Sequence, residues 1–498
     1  MKTTYDIIII GAGLGGLESA YILSKAGYSV CVLEKNKHIG GTLQQFSLGD
    51  CRFSSGMHYL GSLDEGQVLN ELFKYFNILD DLKLKRMDAD AFDKFNIGGR
   101  EIEYPMGWEN FEKKMGNYFP NEKNAISAYV NLMKEVADNQ DIYNLRFPKD
   151  ADIRLNPYLQ QGIYPTIQSL TKNEDLQNAL CALNFVYTGD KESSSVYAHA
   201  LINNYYINSA WRLVGGSSQV ADLLSENIKK FGGEICTQAE VSEFLFKEKE
   251  LIGVKTKDGR EVFAKQFISN MHPAITLEKI AEGKIRKSFR HRLENIPNTI
   301  SVLGLHVRLK PGKVLYKNYN YHFYKENDVW AINSYSTNKL PSFYYLYFPA
   351  GKQTDEFADC VSIYTYMHFA EVKKWEGLPL EKRGTEYEDW KKRNAGDLLN
   401  LVAEKFPEIK ENTVDWIAAT PLTYRDYIGS PGGAMYGTLR DYHDPMSSYI
   451  FAKTKIPNLF FTGQNNNLHG MLGVSISALV TCGEIVGLEK LINEVNEQ

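Results

Sequence analysis

Residues 4–34 read TYDIIIIGAGLGGLESAYILSKAGYSVCVLE. Tyr5–Ile10 is a β-branched run halted by glycine, the pattern of a strand buried on both faces of a parallel sheet. Gly11, Gly13, Gly15 and Gly16 follow, then a helical pattern carried by Leu17, Ala20, Tyr21 and Leu23 that ends near Gly27. A second strand, Ser29–Leu33, runs into Glu34. Each position has a physical task in a dinucleotide-binding βαβ unit. Gly11 permits the tight turn, Gly13 lets the backbone approach a diphosphate, and Gly16 allows helix to pack closely on strand. The helix N-terminus brings free N–H groups and a positive partial charge to the phosphates. Glu34 can accept hydrogen bonds from ribose hydroxyls and repels a 2′-phosphate, which disfavours NADP at this site. A lone glycine fingerprint is weak, but here it stands between a strand and a helix with an acidic residue closing the second strand.

Two further stretches point to a cofactor with two ends. Gly40-Gly41-Thr42 is a second glycine pair placed where the chain crosses such a molecule again. Asn458–Thr462 reads as a buried strand followed by Gly463-Gln464, and helical periodicity runs from Met471 through Ile476, Leu479, Val480 and Ile485. That unit sets a second helix N-terminus against the same ligand, favouring FAD, with an ADP half and a ring half, over NAD. A C-terminal helix that merely packs is the plainer alternative.

The 498 residues predict two to four domains. A net charge of −5 disfavours nucleic-acid binding through a global basic field. Cysteines at 31, 51, 181, 236, 360 and 482 form no CxxC pair, which disfavours a disulfide framework or structural zinc site and makes a reducing compartment the default. No metal ligand set is assigned. The apolar block Ile7–Ile10 is too short for a signal peptide, and no stretch reaches the length of a membrane span. The reading is a cytoplasmic protein, with peripheral membrane contact left open. The run Lys284, Arg286, Lys287, Arg290, Arg292 is interleaved with Ile285, Phe289 and Leu293: a solvated helix face, or a contact with anionic lipid.

Together these blocks resemble the phytoene desaturase, carotenoid isomerase and retinol saturase flavoproteins, the retinol saturase branch most of all. Further blocks carry the resemblance: Phe53-Ser-Ser-Gly-Met-His58-Tyr59-Leu-Gly61, the segment from Gly215-Gly216 to Phe267-Ile-Ser-Asn-Met-His272-Pro273, and Ala419-Thr-Pro-Leu-Thr423 with Gly432–Gly437. The resemblance implies an α/β fold, an FAD-binding Rossmann-like domain of the glutathione-reductase/amine-oxidase type interleaved with an α+β substrate domain. It implies FAD contacts at Gly11, Gly13, Leu14, Gly15, Gly16, Glu34, Lys35, Gly41, Thr42, Val241, Gly463, Gln464, Met471 and Val474. Gln464 stands where the family usually has an aspartate, and Ser54-Ser55 where an acidic residue is common.

The flavin domain is then discontinuous, residues 1–70, 210–280 and 420–498, with 71–209 and 281–419 left for the substrate. The first substrate piece reads as helical, around 66–76, 111–118, 125–139 and 173–185. In the second, Ala370–Trp375 and Tyr387–Asn400 read as a helix pair, and ten tyrosines fall between Tyr316 and Tyr366 in strand-like alternation. Such a sheet face is ordinarily core and surface pairing; the sharper reading is one wall of an apolar cavity for a lipid or polyene.

The chain has no HExxH and no GxSxG, so hydrolysis has no support. A flavin carries the redox step, and the protein orients and excludes. His58, Tyr59 and His469 are the catalytic candidates: His58 because it follows the glycine pair, His469 because it precedes the helix aimed at the flavin, and Tyr59 as a proton donor. The first functional reading is redox chemistry at C=C or CH–CH bonds of a long apolar isoprenoid or lipid substrate. A flavin amine oxidase is the alternative, although Cys482, within the last apparent helix, is poorly placed for a covalent flavin link. A non-catalytic lipid carrier of the Rab GDP-dissociation-inhibitor fold is the third, opposed by the intact glycines and Glu34. The absence of a second complete GxGxxG leaves the electron source to a diffusible donor such as NAD(P)H.

Overall fold

The computed structural model describes residues 2–148, 153–337, 339–351 and 356–498. Among them, seven strands form a first sheet around Thr4–Ile10. Val30–Leu33 and Glu234–Cys236 extend it on one side; Glu261–Ser269 lies on the other, followed by the antiparallel pair Glu250–Thr256 and Val241–Lys247. Leu459–Phe461 joins parallel to Glu261–Ser269. The alternation of the opening strand explains its composition. Ile7 and Ile9 enter the core under helices Leu14–Lys25, Ser218–Lys230 and Gly470–Val486, while Ile8 and Ile10 enter another core with Phe267 and Phe461.

A second sheet runs Thr413–Ala419, Ser301–Leu309, Cys360–Met367, Phe343–Tyr347, Asn320–Tyr324, Asp93–Ile97, Arg100–Tyr104. One face, with Leu303, Leu305, Tyr321 and Tyr344, packs under helix Gly384–Ala403. The other, with Tyr324, Tyr345, Tyr347, Tyr364 and Tyr366, packs under helices Trp108–Tyr118, Lys123–Asp138 and Val196–Asn208. Most of the tyrosine-rich stretch is therefore core on one side or the other, the plainer of the two readings.

Three elements differ from expectation. The piece 71–209 is not helical throughout: Asp93–Ile97 and Arg100–Tyr104 form a hairpin around Gly98-Gly99, both at positive φ, as a tight hairpin turn requires. The pattern at 173–185 breaks into helix Glu174–Leu180 and a 3₁₀ segment Ala182–Tyr187. Ala370–Trp375 is not a helix but part of two 3₁₀ turns, Phe369–Glu371 and Lys373–Trp375, where the Glu371 carboxylate accepts the His368 N–H at 3.2 Å. In the basic run, Ile285 and Leu293 are buried and Phe289 packs on the core. Arg290 donates to the carbonyls of Leu277 and Ile280, and Arg292 to those of Ser447 and Tyr449. No helix of the described residues is long and apolar enough to cross a membrane.

Candidate functional site

The carboxyl ends of the parallel strands open onto a cleft of about 230 Å³. It is lined by Gly11, Gly13, Leu14, Gly15, Glu34, Lys35, Gly41, Thr42, Val241, Gly463, Gln464 and Val474, all residues singled out from sequence. Gly16 is not in the lining: a Cβ there would sit 2.0 Å from the Gly11 carbonyl oxygen, so its place is the contact of helix with strand. A Cβ at Gly13 would meet the Asn270 Nδ2 at 2.8 Å, and one at Gly463 the Asn270 Oδ1 at 2.3 Å. Asn270, which follows strand Glu261–Ser269, thus sits in a cradle of glycines. Its segment, from Phe267 to Pro273, carries part of the family resemblance, but no local pattern assigns Asn270 a role. The signal was its position at the carboxyl end of a strand beside the first, where open α/β sheets bind ligands.

Glu34 is buried, and both its oxygens are engaged by backbone: one accepts from Ala12 N–H and the other from Asn36 N–H, each at 2.8 Å. Ligand hydroxyls would use the remaining lone pairs of a carboxylate already fixed in place. Lys35 Nζ donates to the Asp426 carbonyl at 3.0 Å and Asn36 Nδ2 to the Tyr427 carbonyl at 2.9 Å. These bonds hold Tyr427–Ser430 across the cleft, a wall that no local pattern announced. Two helices point N-termini at the cleft, Leu14–Lys25 behind Gly13 and Gly470–Val486 behind His469, and neither has a side-chain cap. Unbonded N–H groups at two helix starts, with a glycine floor between them, fit a diphosphate and a second electron-rich group.

A second lobe of about 100 Å³ shares Leu14, Thr42, Gln464 and Val474 with the first and adds Met57, His58, Tyr364, Tyr424, Tyr436 and Met471. His58 is packed among Tyr345, Tyr347 and Tyr364, ring centroids 4.7–5.5 Å away. Burial, then His306 and Arg212, push its pKa down to about 3, so the imidazole is neutral. The other two catalytic candidates fall outside this lining. Tyr59 is buried elsewhere, stacked on Tyr206 at 4.1 Å, with its hydroxyl donating to Asp93 at 3.0 Å. His469 stacks on Tyr436 at 3.8 Å and is 3.1 Å from the Val186 carbonyl through Nε2. Burial holds its pKa near 4. A neutral ring bound to a carbonyl positions the helix start; it brings no positive charge to a reduced cofactor. Tyr364, one of the ten tyrosines that the sharper reading offered as a cavity wall, arrives on strand Cys360–Met367; Tyr424, which nothing in the sequence singled out, arrives on helix Pro421–Ile428.

Residues 9–76 match the model of an NAD(P)-binding Rossmann-like domain. Over 97% of its length the chain is 28% identical to an all-trans-retinol 13,14-reductase of Danio rerio, covering 86% of that protein. It is 24% identical over 98% of its length to a chloroplastic prolycopene isomerase 1 of an Oncidium hybrid cultivar, covering 85% of it. Among solved structures, an oxidoreductase from Methanosarcina mazei aligns with a TM-score of 0.62 at 16% identity, over 95% of this chain and 99% of that one. A double mutant of putrescine oxidase gives 0.63 at 14% identity, over 99% of both chains. The solved structures share the overall fold, which in this chain is a Rossmann-like α/β domain with a second, mixed sheet.

Proposed function

We propose that this chain, a relative of the retinol saturase and carotenoid isomerase flavoproteins along nearly its whole length, is an FAD-dependent oxidoreductase acting on carbon–carbon double bonds of a long apolar polyene or lipid. The observation that carries this reading is the two-lobed cleft: a glycine-floored arm ending at Glu34 and a ring-sized arm among neutral side chains, with an uncapped helix start facing each. In this reading Glu34 holds the ribose, Val241 faces the adenine edge, and Gly13, Gly15, Gly41 and Thr42 flank the diphosphate. Gln464, Met471 and Val474 surround the flavin end. Residues 1–70, 210–280 and 420–498 hold the cofactor; 71–209 and 281–419 shape the substrate side. The bound flavin would supply hydride transfer.

The chain's own residues do the rest. The aromatic wall excludes water from the ring lobe, and the neutral His58 adds polarity without charge. Electrons would enter from a diffusible donor such as NAD(P)H. The flavin amine oxidase reading has one observation in its favour, the tyrosines Tyr364, Tyr424 and Tyr436 facing the ring lobe. Against it, the described lining of that lobe contains no carboxylate to pair with an ammonium group. An anaerobic titration separates them. Chemically reduced protein mixed with polyenes should regain the oxidised flavin spectrum as polyene absorbance falls. Hydrogen peroxide and aldehyde produced from amines, with polyenes inert, would overturn the proposal.

A further inference from the structure

Buried polar atoms short of partners gather behind the ring lobe. The hydroxyls of Tyr345 and Tyr424 and the Nδ1 of His58 are buried with no hydrogen-bond partner, and those of Tyr347 and Tyr364, equally buried, face each other. Burying a hydroxyl unpaired costs about 1–3 kcal/mol, and phenylalanine would fill the same volume without that cost. Packing alone does not call for four phenols buried together, two of them, Tyr345 and Tyr424, without a partner. Two of them, Tyr364 and Tyr424, line the lobe itself.

We propose that Tyr364 is the proton donor of this site, with its hydroxyl set in a neutral wall whose other members position it. The proposal rests on the reading of the site as one that reduces C=C bonds. Tyr364 lies within the second sheet, on strand Cys360–Met367, and is 2% exposed, so its ring is held by rigid backbone. The His58 ring lies 4.7 Å from it, Tyr347 stacks parallel at 6.3 Å, and His306 meets it edge-on at 5.5 Å. His306 is itself fixed by Ser362, 3.0 Å from its Nδ1. Gly304 keeps their meeting point open. A Cβ there would lie 2.8 Å from the Tyr424 hydroxyl, 3.0 Å from the Tyr364 ring and 3.3 Å from His306 Nε2. Glycine inside a strand marks such a close approach.

Burial keeps every member of this wall uncharged at neutral pH: the phenols titrate above their ordinary range, and His58 and His306 near 3. Neutral O–H groups are what protonation of carbon needs. A reduced flavin held here would supply the hydride to one alkene carbon. The electron pair left at the neighbouring carbon would take the proton of Tyr364, and solvent entering as the product leaves would return a proton to the phenolate. The substrate would gain two hydrogens, with the flavin as the two-electron reductant.

The test compares Tyr364→Phe with Tyr424→Phe in D₂O under anaerobic conditions, with pre-reduced holoprotein and the polyene that wild type reduces. Tyr364→Phe should retain flavin with an unchanged spectrum, and its flavin-free form should bind the polyene, by fluorescence quenching, within about twofold of wild type. Flavin reoxidation should slow by about 10²–10⁴. Deuterium at the protonated carbon, confined to one face with wild type, should spread over both. Tyr424→Phe should keep one-faced delivery. Wild-type rate and one-faced deuterium in Tyr364→Phe would overturn the assignment, as would loss of facial selectivity in Tyr424→Phe alone. Should Tyr364→Phe fail to hold flavin, 3-fluorotyrosine at 364 keeps ring and hydroxyl. The alkaline limb of its pH–rate profile should then move down, and an unmoved limb overturns the proposal. Reduced wild type that no polyene reoxidises refutes the functional reading, and this inference with it.

Discussion

The two lobes of the cleft are built from opposite materials. The nucleotide lobe is made of backbone: glycines that would clash if given a Cβ, a helix start at Leu14 without a cap, and a Glu34 whose two oxygens are both engaged by main-chain N–H groups. The ring lobe is made of side chains from distant segments, neutral and with hydroxyls left unpaired. The first is the part that the proposed reading gives to the cofactor. The second carries the stability cost of buried hydroxyls without partners. Substitutions in the first should therefore cost structure and cofactor together, whereas substitutions in the second should separate stability from chemistry.

The strongest break of that contrast is Gly16→Ala, whose Cβ would sit 2.0 Å from a backbone oxygen that cannot rotate away. It should destabilise by about 4 kcal/mol or more and abolish flavin retention, read from the melting temperature and the flavin content after purification. Gly13→Ala meets only the end of the Asn270 side chain, so it should melt closer to wild type while still losing flavin. Glu34→Ala frees the N–H groups of Ala12 and Asn36 and should cost about 3 kcal/mol, with weaker flavin binding by equilibrium dialysis. A loss of flavin without any loss of stability would show that the carboxylate serves the ligand alone.

On the ring-lobe side, His58 titrates near 3 when folded against 6.5 as its ordinary value. The unfolded chain therefore binds a proton that the folded one refuses, and stability falls as pH drops from about 6.5 toward 3. His58→Asn should make that slope shallower by up to about 1.4 kcal/mol per pH unit, measured by urea unfolding at pH 7, 6 and 5. The smallest effect belongs to Tyr347→Phe. Its buried hydroxyl meets only Ser362 and Tyr364, so stability should stay within about 1 kcal/mol of wild type. A larger loss would mean the phenol is bound to something that holds the lobe together.

The same contrast governs what can be read before folding. The nucleotide lobe was legible because its features are local: a strand, three glycine steps and an acidic strand end within 31 consecutive positions, 4–34. The hairpin at 93–104 was missed: Gly98-Gly99 is its turn signal, but the helical patterns on either side make the whole piece read as helical. Tyr59 shows where local reading stops. His58 lines the lobe, whereas its neighbour stacks on Tyr206 and donates to Asp93, a partner that only the folded second sheet supplies. Tyr364 and Tyr424 have no shared spacing with His58; only the second sheet and the segment after it bring them there. Asn270 was invisible for a related reason, since its meaning comes from the glycines of another strand.

Leu459–Phe461 completes the first sheet beside Glu261–Ser269, and the helix from Gly470 supplies the second uncapped N-terminus. During synthesis Gly11 leaves the ribosome long before Gly463, whose backbone its own helix must meet. The opening βαβ unit therefore waits, with part of its floor missing, for nearly the whole chain to follow. Any nascent chain truncated before residue 459 would expose the apolar edge of an unfinished sheet, and the cleft would lack the wall that Gly463 and Gln464 supply.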